Sequence, residues 1–259
     1  MQTLLNVYKP IGKNPLQVIE KIKESLPEYK NVKMSYAGRL DPLAHGVLLL
    51  MAGEGIENRN HYLDLPKTYE FTMLAGLATD TYDYLGVLNT LEYNPLGTNV
   101  NLFVNSFVKS HLGKQIQSYP PFSSKTVGGK PLFWWTKENR LAEITIPQKE
   151  IEVYSFKALS FQTITSEQLQ KTVLNNIELV QGDFRQLEIK EQWKKFFKIN
   201  SILPEKLPTI TFCLTCSSGT YVRGLVHELG KQLGCGAITI DILRTAVGDY
   251  TLKEALYIF

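Results

Sequence analysis

Asp41 is the one acidic residue in residues 35–50, a run otherwise built mainly of apolar and small side chains. Pro42 fixes its own φ and pushes Asp41 toward extended geometry. Gly38 and Gly46 on either side allow positive φ or close backbone approach, and residues 47–50 read as buried. The result is a carboxylate on a stiff turn at the edge of a core, able to attack a carbon or take a proton. An ordinary Asp-Pro turn before a core strand is the competing reading. Arg223 is the second candidate. Residues 210–216 alternate as a strand, Ser217-Ser218-Gly219-Thr220 turns, and a helix follows with Val222, Leu225, Val226, Leu229 and Leu233 on its buried face. A structural arginine favours a helix C-terminus. Arg223 lies at the positive end, where backbone N–H groups gather anions, and this points to a negatively charged partner.

Other constellations fail on spacing. Cys213 and Cys216 have C-x-x-C spacing, but on a strand residues three apart face opposite sides, so the pair is read as packing. Asp80 and Asp83 lie in a turn-rich stretch and are read as acceptors of backbone N–H bonds. They lack both EF-hand spacing and a third ligand. Gly53-Glu54-Gly55 lacks the rest of a phosphate loop. The four histidines are scattered. Neither a metal nor a cofactor is expected.

The positioning elements follow from periodicity. Asn14 caps a helix with Pro15 at its first position, Leu16, Ile19, Ile22 and Leu26 recur at helical spacing, and Pro27 stops it. Residues 60–65 read as a helix. Residues 67–75 alternate as a strand with Tyr69, Phe71, Met73 and Ala75 on one face. Val104, Phe107, Val108, His111 and Leu112 form a helical face closed by Gly113. Residues 115–140 interleave basic residues, glycines and aromatics, as a loop that offers phosphate contacts and stacking faces would. Residues 144–146 and 151–156 are strand-like. Thr165-Ser166-Glu167-Gln168 is a capping box, and residues 188–199 form an amphipathic helix with Trp193, Phe196 and Phe197. Gly182-Asp183-Phe184-Arg185-Gln186 echoes Gly113 to Gln117 as G-x3-Q after a helix, too briefly to be a repeat.

Composition sets the outer limits. The 259 residues are 44% hydrophobic and 20% charged, with a net charge of +3. These values fit a globular chain and permit a nucleic-acid partner without requiring one. Three cysteines argue for a reducing compartment. A leader or apolar span long enough for a membrane is absent from the sequence, so a cytoplasmic protein is expected.

Several of these stretches together resemble the TruB type of pseudouridine synthase. Gly38, Leu40, Asp41, Pro42, Ala44, Gly46, Val47 and Leu48 follow its G-x-L-D-P-x-A-x-G-V-L motif. Residues 77–86 resemble its D-T-x-D-x-x-G turn. Gln117, Pro120, Pro121, Ser123, Ser124, Lys125 and Gly129 follow a looser lid pattern, with Ser124 where alanine is usual. Cys216 to Arg223 resembles C-S-x-G-T-Y-[IV]-R, and residues 243–248 its L-R-R-T-x-x-G ending.

The resemblance implies an α+β fold, a mixed and mainly antiparallel sheet flanked by helices, with an RNA-binding cleft. It implies one catalytic domain over residues 1–259, with an RNA-binding loop around 117–140. The implied reaction isomerises a uridine in RNA, the T-loop uridine of tRNA, through Asp41. Arg223 would be the counter-charge and Tyr69 would stack on the flipped base. Tyr36, Arg39, Lys125, Leu243 and Arg244 would contact substrate, with tRNA as the partner and a monomer as the working form. Tyr36 stands where the family commonly has histidine, so RNA contacts beside the target should differ. Many members continue into an added RNA-binding domain; here Phe259 follows the catalytic signature directly, and compact recognition is expected. Two alternatives stay open: a non-catalytic RNA-binding or tRNA-folding protein on the same scaffold, and a synthase acting on another RNA.

Overall fold

The computed structural model describes residues 1–97, 99–199 and 203–259. In chain order its strands and helices are β1 (Leu4–Lys9), α1 (Pro15–Ser25), β2 (Met34–Ala37), β3 (His45–Ala52), α2 (Arg59–Asp64), β4 (Lys67–Ala75), α3 (Val100–Ser110) and β5 (Gly113–Ser118). Then come the two-residue strands β6 (Thr126–Val127) and β7 (Lys130–Pro131), α4 (Leu132–Lys137), β8 (Gln148–Thr165), α5 (Ser166–Leu179) and α6 (Gln186–Ile199). The last elements are β9 (Lys206–Cys216), α7 (Val222–Gln232), β10 (Ala237–Val247) and β11 (Tyr250–Thr251).

The main sheet runs β1-β3-β10-β4-β9-β8-β5, with β2 also on β3 and β11 on β10. Among the described residues the β10–β3 ladder is the only parallel pairing of strands, beside the isolated parallel bridges Val7–Leu256 and Asp83–Thr239. The α+β, mainly antiparallel expectation therefore holds. Among the described residues no helix is long and apolar enough to cross a membrane.

The two faces of the sheet carry different layers. Phe71, Met73, Phe212 and Leu214 pack with Val104 and Phe107 of α3 and with Leu225, Val226 and Leu229 of α7. Leu74, Leu207 and Ile238 pack with Leu169, Val173 and Ile177 of α5 and Trp193 and Phe196 of α6. Strand β3 is covered on both sides, which is why it reads as an unbroken apolar run. Leu48 and Leu50 meet α1, while Val47, Leu49 and Met51 pack among residues that include Tyr62 and Leu63 of α2. Each such buried side chain contributes roughly 1.5–3 kcal/mol.

Local signals account for the element ends. The Asn14 side chain accepts from the N–H groups of Leu16 and Gln17 at 2.9 and 3.0 Å, completing a capping box with Gln17. Thr165 and Gln168 do the same for α5. Three expectations are corrected. Leu16 is exposed and Val18 takes its place on the buried face of α1. Leu112 lies beyond α3 and is exposed. Residues 144–146 are not a strand; the strand begins after Pro147, which lacks the N–H a ladder needs, and continues 18 residues to Thr165. Its outer half alternates weakly because many of its side chains face solvent. Cys216 is buried in the core and Cys213 is not, as strand alternation requires.

Candidate active site

The Asp41 turn is fixed from below. Leu40 and Ala44 anchor it in the core, at 3% and 2% exposure. The Ala44 N–H donates to the Asp41 carbonyl at 3.1 Å, and the Gly12 N–H to the Pro42 carbonyl at 2.8 Å. Lys9 is wholly buried beneath. Its Nζ donates to the carbonyls of Pro10 at 2.9 Å and Lys13 at 2.6 Å, and reaches that of Pro42 at 3.5 Å. Burial pushes the Lys9 pKa down to about 7, against the pull of Asp41. Gly46 has φ 108, and a Cβ there would lie 2.2 Å from the Arg244 carbonyl oxygen. Only glycine lets β3 and β10 approach this closely.

Above the turn, Arg223 in the first turn of α7 donates from Nε to Asp41 Oδ2 at 2.8 Å. The pair spans 182 positions of sequence. Its guanidinium also donates to the Thr81 carbonyl, reaches the Phe122 carbonyl at 3.5 Å and lies 3.6 Å from Asp83 Oδ2. Burial opposes its charge, yet Asp41 and Asp83 outweigh that and raise its pKa above the ordinary arginine value. Asp83 accepts from the Thr81 hydroxyl at 2.8 Å and the Leu85 N–H at 2.9 Å. Burial pushes its carboxyl up to about 6, with Arg223 limiting the rise. The Asp41 side chain keeps 36% exposure while that of Arg223 keeps 4%. The cation is structural bedding, and the carboxylate is the reachable partner.

Tyr69 projects from β4, and burial raises its pKa while Arg244 opposes the rise. Arg244 lies opposite Tyr69 on β10, 1% exposed, donating to the carbonyls of Val47 at 2.7 Å and Gly38 at 3.1 Å. Lys67 donates to the carbonyls of Leu63 and Leu65, and burial lowers its pKa to about 8, helped by Arg244. The entry to α7 has no side-chain cap of its own. Gln117 substitutes from β5, accepting from the Tyr221 N–H at 2.8 Å and donating to its carbonyl at 3.0 Å.

Asp41, Tyr69, Arg223, Arg39 and Arg244 thus line one cleft with a cavity volume of ≈ 500 Å³. Three expected substrate contacts fall outside its lining. Tyr36 packs with the cluster around Val7, Leu48 and Leu50. Leu243 points away because its neighbours Ile242 and Arg244 take the cleft side of β10. Lys125 is exposed, with Nζ 5.3 Å from the centre of the Tyr119 ring. The sequence reading gave no role to Lys9 and Lys67. The signal was strand alternation: Lys9 shares a face with Leu5 and Val7, and Lys67 with Tyr69 and Phe71. Asp80 and Asp83 do accept backbone N–H bonds, as read, but each also meets an arginine, Arg185 and Arg223 respectively.

The fold has counterparts among solved structures. A solved Cbf5–Nop10–Gar1 complex aligns over 98% of this chain and 51% of the solved one, with TM-score 0.58 and 17% identity. A structure of an H/ACA RNP bound to a substrate RNA containing 2'-deoxyuridine aligns over 98% and 50%, with TM-score 0.55 and 17% identity. The family is narrower than the fold. The model of the TruB family pseudouridylate synthase N-terminal domain matches residues 26–180. The protein named tRNA pseudouridine synthase B of Geobacter sulfurreducens is 30% identical over 257 residues, 99% of this chain and 67% of the relative. The protein of that name from Thermotoga maritima is 28% identical over 257 residues, 99% of this chain and 66% of the relative. This chain belongs to the TruB family of pseudouridylate synthases. It spans about two thirds of the length of these relatives and about half that of the solved chains.

Proposed function

We propose that this chain isomerises a uridine of tRNA, the T-loop uridine, to pseudouridine, with Asp41 as the attacking group. The carrying observation is the Asp41–Arg223 contact of 2.8 Å in a cleft that Tyr69 also lines. The reaction breaks the N1–C1′ bond, turns the base, forms C5–C1′, releases the C5 proton and takes up a proton at N1, so substrate and product have the same composition. Arg223 fixes the position of the carboxylate through the Nε–Oδ2 hydrogen bond. Tyr69 offers a ring for the uracil to stack on. The target must leave its own stack to enter the cleft and meet the carboxylate, so unpaired or extruded bases are preferred. That the named relatives are tRNA pseudouridine synthases supports tRNA as the substrate.

The test is tritium release from tRNA labelled at uracil C5, with wild-type and Asp41→Asn protein. Release by wild type and none by Asp41→Asn is the expected result. Silence from the wild type would overturn the enzymatic reading in favour of an RNA-binding or RNA-folding role. Equal release from both would remove Asp41 from the reaction. Release that persists after replacing the T-loop uridine would exclude that target.

A further inference from the structure

The outer part of the cleft differs from its floor. Phe133 lines it while 39% exposed. Phe133 and Lys137 are four apart on α4 and share a face. Lys137 Nζ donates to the carbonyl and Oδ2 of Asp183 at 3.0 and 2.8 Å. This ties α4 to the α5–α6 connection, residues 180–185. At the other end of that connection Arg185, at φ 60, donates to both carboxylate oxygens of Asp80 at 2.8 and 3.2 Å. Its guanidinium also covers the Phe122 ring at 4.3 Å. The connection is therefore clamped on both sides, and between the clamps it brings Phe184 to the cleft lining.

Arg185 is committed to Asp80 and one face of Phe122 is covered. Phe133 is exposed in the cleft lining, and Phe184, packed on one side against the α5 and α6 core, adds its ring to the same lining. Apolar rings beside cations in a groove are the means by which proteins hold unpaired bases. RNA adds a geometric demand. A uridine at Asp41 is covalently joined to neighbours on both sides, and these must leave through the mouth.

We propose that Phe133 and Phe184 form a stacking subsite for an unpaired nucleotide adjacent to the target uridine. The α5–α6 connection is then a specificity wall as well as a packing element. This rests on the RNA-modifying function proposed above.

The experiment uses a synthetic T-arm stem-loop RNA with tritium at C5 of the target, and the same RNA with an abasic ribose directly 5′ or 3′ of it. KM and kcat come from tritium release by wild type, Phe133→Ala, Phe184→Ala and Phe184→Tyr, and Kd from binding in an Asp41→Asn background. Each alanine change should raise KM and Kd for intact RNA by about 5- to 150-fold, the range of one lost base stack. Phe184→Tyr should restore wild-type values, and on one of the two abasic RNAs the alanine penalty should vanish. Unchanged KM and Kd in both alanine variants would overturn the subsite, as would an equal penalty on intact and both abasic RNAs. Phe133 is exposed, so its variant keeps the test open if Phe184→Ala folds poorly. Ring-dependent binding without tritium release would retain the subsite and remove the catalytic reading. Absence of RNA binding by any of the proteins would remove both.

Discussion

Arg223→Gln probes the charge of a buried carboxylate. Asp83 is 7% exposed, and its carboxyl is pushed up to about 6 from an ordinary 3.8 by burial, with Arg223 restraining the shift. The folded value lies above the unfolded one. The native state therefore binds its proton first as pH falls, and the wild type gains stability from Asp83 between about pH 6 and pH 4. Without the guanidinium the folded value climbs further, so the variant keeps Asp83 protonated to a higher pH than the wild type does. It then lacks the ionisation that stabilises native wild type above pH 6. Each unit of that rise is worth ~1.4 kcal/mol, a share of the deficit that is present at pH 7.5 and fades below pH 6. Lost hydrogen bonds to the Thr81 and Phe122 carbonyls add a part that does not depend on pH. Thermal unfolding at pH 7.5 and 5.5 reads the difference. At about 2–4 °C per kcal/mol for a domain of this size, the variant's Tm deficit should be larger at pH 7.5 by roughly 3–6 °C for each unit of that rise. A deficit that is equal at both pH values, or larger in acid, would refute the reasoning. Asp83→Asn combined with Arg223→Gln should abolish the pH dependence relative to Asp83→Asn alone.

Gly46→Ala should give no soluble folded protein, measured as soluble yield and circular dichroism, because its Cβ meets the Arg244 carbonyl oxygen at 2.2 Å in the centre of the sheet and backbone cannot yield without losses above about 4 kcal/mol. Thr165→Ala removes the cap of α5. It should cost about 1 kcal/mol, seen as a Tm drop of about 2–4 °C, with tritium release unchanged. Burial raises the thiol of Cys213 and pushes that of Cys216 up to about 11. Alkylation of native protein at neutral pH, followed by mass spectrometry, should therefore label Cys213 slowly and spare Cys216.

The legible parts of the chain were those with a period or a cap. Residues 67–75 alternate cleanly, and β4 occupies those positions. The Asn14 and Thr165 caps are built from local contacts that sequence alone carries. Asp41 and Arg223 stood out because each is a charge in the wrong company, and the fold brings them together. What could not be read depends on tertiary register. Leu243 and Arg244 are neighbours, and only the seating of β10 between β3 and β4 decides which faces the cleft. Tyr36 sits in a motif-like run, yet its ring belongs to the α1 cluster. The α5–α6 connection showed only a brief G-x3-Q echo in the sequence, since its contacts with Phe122, Asp80 and Lys137 are made 46 to 105 positions away in sequence.

The strand order has a consequence for how the molecule is made. β10, the last long strand in the chain, lies between β3 and β4, which are made far earlier. Until β10 arrives, β3 and β4 each expose an unpaired edge, and β3 is the most apolar segment of the sheet. During synthesis and refolding the protein must pass through a stage in which a split sheet awaits its central piece. Closing that gap joins residues about 200 positions apart, a slow event for a chain dominated by distant pairings. Open apolar edges persist in the meantime and invite pairing with other chains. Refolding yield should therefore fall with rising protein concentration, and no tritium-releasing species should form before the last strand is seated.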